Sequence, residues 1–248
     1  MENYILECCV DRLASAINGE KGGANRFELC ANLVIGGTTP SLTLFRQVRK
    51  HTNLPIHVLI RNRFGDFCYN DDEIEEMCDS IKAFADEGAD GVVVGALTPE
   101  GDLDERALKK FIEAAGKAKV VLHRAFDMCK EPFAALSKAK ELGIDTILTS
   151  GQKGNCVDGS PLIKELIERA GKDINILIGA GVSADVIKKV YEMTGGTNYH
   201  MSGKRVIDSR MTYRREEVSM GLPSLSEYDI WETSADEIAK AVKVLKEL

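Results

Sequence analysis

The 248-residue chain has no surplus of basic residues: 32 Lys and Arg stand against 39 Asp and Glu, a formal charge of −7. Binders of nucleic acid or of anionic membranes usually carry a basic excess or patch, so neither is an expected partner. Long hydrophobic runs are also missing. The longest uncharged stretch, Leu29 to Phe45, is broken by Asn32, Gly36, Gly37, Thr38, Thr39 and Pro40, which excludes a membrane helix there. The opening Met-Glu-Asn-Tyr-Ile-Leu-Glu lacks the basic and apolar regions of a signal peptide, so an unexported, cytoplasmic protein is expected. None of the seven cysteines forms a C-x-x-C pair. An odd, scattered set in a chain this long signals neither a disulfide framework nor a structural zinc site, and free thiols are expected. No linker, low-complexity tract or shift in composition divides the chain, so residues 1–248 read as one domain.

What is present is a repeated alternation. Short β-branched runs alternate with stretches of helical period, the pattern of consecutive βα units around a parallel sheet. Eight runs count as strands: Tyr4 to Val10, Arg26 to Ala31, Ile56 to Arg61, Gly91 to Ala96, Val120 to Ala125, Thr146 to Ser150, Asn175 to Gly179 and Asn198 to Met201. Between them, Asp71 to Glu87 places Ile74, Met77, Cys78, Ile81, Phe84 and Ala85 on one helical face, and Ala235 to Leu248 supplies an eighth helix through Ile238, Ala239, Val242 and Leu245. Eight strands and eight helices in this length predict an α/β fold, a single-domain (β/α)8 TIM barrel, with an open doubly wound sheet as the alternative. The helix-to-strand connections are short and contain glycine, whereas the strand-to-helix connections are longer and carry the unusual residues. That asymmetry places a working face at the C-terminal ends of the strands. Segment 204–234, after the eighth strand, is expected to be a long loop, and a loop of that length is seldom idle.

Polar side chains fall on strands that should be apolar. Glu7 lies in Ile-Leu-Glu-Cys-Cys-Val; Arg26, Glu28 and Cys30 alternate with Phe27 and Leu29; His57 and Arg61 share the third strand; His123 and Arg124 end the fifth, and His200 lies in the eighth. One strand histidine is usually a satisfied core residue. Several aimed into one barrel mouth form a network that is either structural or a site, because buried charges are costly unless paired or metal-bound. Glu7, Glu28, His57, His123, Asp127 and His200 are therefore candidates for acid/base or divalent-metal chemistry. Arg63 beside Asp66 and Arg124 beside Asp127 either hold a planar anion or order their own loops. Two Gly-containing turns, Gly179-Ala180-Gly181 leading to a helix that Ser183 can cap, and Ser202-Gly203, read either as tight turns or as an anion holder, with Ser150-Gly151 nearby. Cys30 is a buried thiol or, as a soft donor, a Cu(I) ligand. Cys8 and Cys9 are adjacent on a strand and point to opposite faces.

In order along the chain, Glu7-Cys8-Cys9-Val10-Asp11, Arg26-Phe27-Glu28-Leu29-Cys30, Gly36-Gly37-Thr38-Thr39-Pro40-Ser41, Arg61 with Gly65-Asp66-Phe67, Gly95-Ala96-Leu97-Thr98, His123-Arg124-Ala125-Phe126-Asp127, Leu148-Thr149-Ser150-Gly151 and His200 resemble the motifs of the copper homeostasis protein CutC family, from Ile5 to about His200. The resemblance implies a cytoplasmic (β/α)8 barrel that forms a homodimer or larger homo-oligomer, with links to copper tolerance and to Cu(I) binding. It also implies Cys9 and Cys30 as the copper ligands. This chain departs from the family at Cys8, commonly apolar, at Asn62 and Phe64, commonly Pro and Gly, and at Ala180, commonly Gly. Three readings follow: a Cu(I)-handling protein using Cys9 and Cys30; an enzyme for a small anionic or sugar-like substrate, with Arg26, Arg61, Arg63 and Arg124 among its binding groups; and a scaffold without catalysis.

Overall fold

In the computed structural model, residues 4–215, 217–222 and 225–248 are described. The eight strands close into a parallel barrel in chain order. They are β1 (Ile5–Val10), β2 (Arg26–Leu29), β3 (Ile56–Leu59), β4 (Gly91–Val94), β5 (Lys119–Leu122), β6 (Thr146–Thr149), β7 (Asn175–Ile178) and β8 (Asn198–Met201). Around them lie α1 (Leu13–Gly22), α2 (Leu42–Arg49), α3 (Asp71–Asp86), α4 (Glu105–Ala115), α5 (Pro132–Glu141), α6 (Ser160–Ala170), α7 (Ala184–Thr194) and α8 (Ala235–Glu247). This is the predicted single-domain (β/α)8 barrel, and the open sheet is excluded by the pairing of β1 with β8, where Glu7 stands beside His200.

The helices start where the sequence supplies caps. Asn70 and Glu73 form a reciprocal capping box on α3, and Ser41, Asp104, Ser183 and Ser234 each accept a backbone N–H at the start of their helix, contributing about 1 kcal/mol apiece. Ile74, Met77, Ile81 and Phe84 bury the inner face of α3. On α8 the buried set is Ile238, Ala241, Val242 and Leu245; Ala239, expected on that face, is exposed because spacings of three and four from Ile238 pass over it.

Side-chain alternation divides the barrel wall into two layers of contact. Leu6, Cys8 and Val10 on β1, with Phe27 and Leu29 on β2, pack outward in the core between sheet and helices; a methyl at Gly19 of α1 would lie 3.2 Å from Cys8 Sγ. The alternating set, Glu7, Cys9, Glu28 and Cys30, faces the barrel axis. Part of the interior is apolar: Cys30, Leu59, Val93 and Val121 form a separate buried cluster against Leu33. Small residues give room to large ones. A Cβ on Gly91 would lie 2.7 Å from the His57 ring, and one on Gly95 would lie 2.5 Å from the His123 ring, so β4 presents bare backbone where its two neighbours present imidazoles.

Six strands end earlier than the sequence runs suggest, and on four of them this leaves Cys30, Arg61, His123 and Ser150 beyond the last strand residue. Their backbones turn to the loops: Arg61 N–H donates to Thr39 Oγ1 at 2.9 Å, and His123 caps a 3-10 turn, Arg124–Met128, by accepting Ala125 N–H at 3.0 Å. Segment 204–234 also differs from the expected loop at both ends. Near its two ends, β9 (Lys204–Asp208) and β10 (Asp229–Thr233) pair as an antiparallel ribbon, with Lys204 Nζ 3.5 Å from the centre of the Trp231 ring.

Candidate functional site

The mouth of the barrel opens on a cavity of about 400 Å³. It is lined by Cys9, Glu28 and His200 from β1, β2 and β8, and by Arg61, Phe67, His123 and Arg124 from beyond the ends of β3 and β5. Ala180, Gly181 and Ser202 line it too, and the ribbon contributes Lys204 and Trp231. The candidates do not all converge here.

Glu7, Glu28 and His200 bring ligand atoms within 4.8 Å of one another. Glu7 is buried and accepts from Arg26 Nε at 2.5 Å and pairs with His200 Nδ1 at 2.8 Å, while His57 Nδ1 stays at 3.6 Å. Burial opposes its charge, but the Arg26 guanidinium and the two imidazoles outweigh burial and hold its carboxyl down at about 2. Glu28 has the opposite fate. Its carboxylate makes no hydrogen bond among the described residues, its Oε2 lies 3.9 Å from His200 Nε2, and burial together with the Glu7 charge raises it to about 7 against the pull of His200 and Arg26. For His200, burial disfavours the charged ring, yet Cys9, Glu28 and Glu7 together push its pKa well above the ordinary value. Glu7 thus fixes the ring through Nδ1 and turns Nε2 toward Glu28 and the cavity. A carboxyl near neutrality beside an oriented imidazole is equipped to exchange a proton at physiological pH.

His123 is built differently. Its Nδ1 accepts Ala125 N–H, so the proton of the neutral ring sits on Nε2. That Nε2 is buried with no partner. Burial, reinforced by the Arg61 charge, lowers its pKa to about 3, so it faces the cavity as a neutral donor. Arg61 gives its terminal nitrogens to the carbonyls of Gly37 at 3.0 Å, Gly65 at 2.8 Å and Ile35 at 3.5 Å, and its Nε has no partner.

Other candidates are engaged in holding loops. Asp127 accepts from Arg124 Nε at 2.7 Å, Thr149 Oγ1 at 2.5 Å, Ser150 N–H and hydroxyl, and Gln152 N–H; its capacity is spent and it does not line the cavity. The single Ser150 hydroxyl proton is shared between Asp127 and the Lys153 carbonyl, the latter at 2.6 Å. Gly151 is glycine because the Gly159 carbonyl would stand 2.2 Å from a Cβ there. Arg63 pairs with Glu73 and Asp66 and stacks on Tyr69, which orders its loop. His57 and Arg26 lie deeper than the cavity, around Glu7. Gly179 passes Leu148 at 2.7 Å, Ser183 caps α7 through Val186 N–H at 3.4 Å, and Gly203 packs on Ile238. Of the glycine turns, Gly181 and Ser202 reach the cavity, and Ala180 adopts φ +71° with its methyl group in place.

The two candidate copper thiols share the barrel interior but not its exposure. Cys9 lines the cavity next to His200. Cys30 donates to the Val10 carbonyl at 3.5 Å inside the apolar cluster, and burial, with Glu28 and Cys9 adding to it, raises its thiol well above the ordinary value. Cys9 offers Cu(I) a soft donor on the cavity wall; His200 could ligate only after losing a proton, and Cys30 only by leaving the Val10 carbonyl. Sequence reasoning missed Asp11, Leu33, Phe67, Lys204 and Trp231 on the cavity wall. All come from loops or the ribbon, and the signals were the single tryptophan, the Lys in Ser-Gly-Lys, and the places of Asp11 and Phe67 in motifs of the resemblance.

The profile of the CutC family matches residues 4–205. The copper homeostasis protein cutC homolog of Homo sapiens is 39% identical over 246 residues, covering 99% of this chain and 90% of that protein. A family protein CutC of Bacteroides fragilis is 43% identical, covering 92% of each chain. Among solved structures, a copper homeostasis protein CutC from Streptococcus agalactiae superposes with a TM-score of 0.77 at 29% identity, covering 81% of this chain and 99% of that one.

Proposed function

The chain belongs to the CutC family, and we propose that it serves copper homeostasis as a cytoplasmic barrel that binds a small polar molecule in its mouth and moves a proton on it. One observation carries this reading. Glu28, buried and without a hydrogen bond, faces the cavity at about pKa 7 beside a His200 ring that Glu7 orients. Such a pair has no structural need: Glu7 already balances Arg26, and a buried carboxyl raised this far costs stability in the folded protein. In the proposed chemistry Glu28 takes a proton from the ligand and returns it, while His200, held positive, stabilises the negative charge that develops.

The test is exchange of solvent deuterium into small hydroxy acids, keto acids and sugar phosphates, followed by mass spectrometry. Wild-type protein should label at least one of them, and Glu28→Gln should reduce labelling at least 100-fold, the scale of a lost general base. Labelling at the uncatalysed rate by both proteins would refute the reading.

A second reading is favoured by the position of Cys9 on the cavity wall. In it, Cu(I) is the cargo, held by Cys9 with Cys30 or His200. Both readings share one mouth, so copper would exclude the organic ligand. Self-association, expected of the family, would use the exposed apolar side chains of the ribbon segment, among them Val206, Met211, Tyr213 and Met220.

A further inference from the structure

Two polar side chains that line the cavity each leave one nitrogen without a partner. His123 is 5% exposed and Arg61 is 8% exposed, both line the cavity, and His123 Nε2 and Arg61 Nε are buried without partners. The two are tied to one ring. The Arg61 guanidinium lies 5.1 Å from the centre of Phe67, and the His123 ring lies 4.9 Å from it. Gly95 leaves the space the imidazole occupies, so the pair is fixed in position.

Their charge is also unbalanced. Arg61 meets only uncharged groups, three carbonyls and the neighbouring Tyr69 hydroxyl, and among the described residues no carboxylate lies within 4.0 Å of it. Arg124, the other guanidinium lining the cavity, is neutralised by Asp127 at 2.7 Å. An uncompensated buried cation costs several kcal/mol unless a counter-charge reaches it. An oxyanion supplies that charge and presents two acceptors, one for each unpartnered N–H.

Resting on the reading of this cavity as a ligand site, we propose that its ligand is a small organic oxyacid, a carboxylate or a phosphate monoester, anchored by Arg61 and His123 with its remainder directed toward Glu28 and His200. The apolar walls, Leu33, Leu59, Leu148 and Trp231, fit a compact carbon skeleton between the two polar ends. The glycine turn before α7 lines the cavity too, but it offers backbone amides alone, whereas Arg61 and His123 offer two buried side-chain donors that nothing else satisfies.

Inorganic phosphate and malonate serve as probes of the two acid classes. Each is titrated at millimolar concentration into the full chain while long-range 1H–15N spectra follow His123 Nε2. The proposal predicts a saturable shift with at least one probe: malonate alone identifies a carboxylate ligand, phosphate alone a phosphate monoester, and both the shared oxyanion chemistry. Arg61→Gln and His123→Phe should each weaken the responding probe at least tenfold, read for His123→Phe by calorimetry. Because Arg61 ties three loop carbonyls, His123→Phe, which keeps a ring on Phe67, decides the matter if Arg61→Gln fails to fold. No response to either probe, or unchanged affinity in His123→Phe, overturns the anchor. Glu28-dependent deuterium exchange in that case would leave the proton-transfer reading standing, while probe binding without exchange would leave the anchor standing alone.

Discussion

Among single residues, the same barrel interior moves similar groups in opposite directions, and each direction has a local cause. Glu7 and Glu28 sit on neighbouring strands and are equally buried, yet Glu7 is held at about 2 by Arg26 and two imidazoles while Glu28 rises to about 7. His123 falls to about 3 and His200 rises. For His123 the consequence is a stability term with a definite sign. Its folded pKa lies below the unfolded value of 6.5, so the neutral ring stabilises the fold fully above pH 6.5, and that contribution is lost as pH falls toward 3. Between pH 6.5 and 4.5 the raised pKa of Glu28 acts against it, so the effect is isolated by comparing variants. Urea unfolding at pH 7 and pH 4.5 should show wild type losing on the order of 2–3 kcal/mol more than His123→Gln on acidification, from about 1.4 kcal/mol per pH unit. Equal losses would mean that His123 is not held neutral. The candidates Glu7, Glu28, His57, His123 and His200 could be named from sequence because charges interrupt apolar strands at inward positions. What sequence could not give is which carboxyl meets which cation. Asp127 looked like a site residue and is a loop clamp, because its partners Thr149 and Gln152 arrive from another βα unit.

The strands and helices themselves were legible because their periods differ, 2 against 3.6, and because caps mark the helix starts. Strand ends were less so. At the mouth the barrel's backbone hydrogen bonds pass to loops, as where Arg61 N–H turns to Thr39, and β-branched composition continues past that point. The ribbon of β9 and β10 escaped because its two halves are separated by 20 residues, from 209 to 228, without any regular pattern. Strand parity, in contrast, shows which way the thiols face, a point sequence left open: on β1 it turns Cys8 outward and Cys9 inward, and Cys30, just beyond β2, lies in the same interior. If Cu(I) binds across these two strands, it must displace a proton from Cys30, whose pKa is raised, so affinity should increase as pH rises from 6 to 8. A competition titration with a Cu(I) chelator checks this. Cys9→Ser and Cys30→Ser should each weaken binding at least tenfold; wild-type affinity in Cys30→Ser would leave Cys9 and His200 as the ligands, and wild-type affinity in Cys9→Ser would remove the mouth from copper handling.

Taken whole, the molecule carries −7 overall and yet concentrates an unpaired cation in its mouth. A net acidic surface does not attract anionic partners from a distance, so recognition of an oxyacid would depend on short-range contacts in the cavity rather than on steering. Among the described residues no helix is long and apolar enough to cross a membrane, and the ribbon contributes Lys204 and Trp231 to the lining of the cavity that Glu28 and His200 face. Burial and the Glu7 charge give Glu28 its raised pKa, and on that raised pKa the proton-transfer reading depends. The direct measurement is a 13C NMR titration of the Glu28 side-chain carboxyl in the full chain, assigned by its loss in Glu28→Gln. The account predicts a midpoint near 7, displaced when His200 is replaced by Gln; a midpoint near 4.5, indifferent to that replacement, would contradict it.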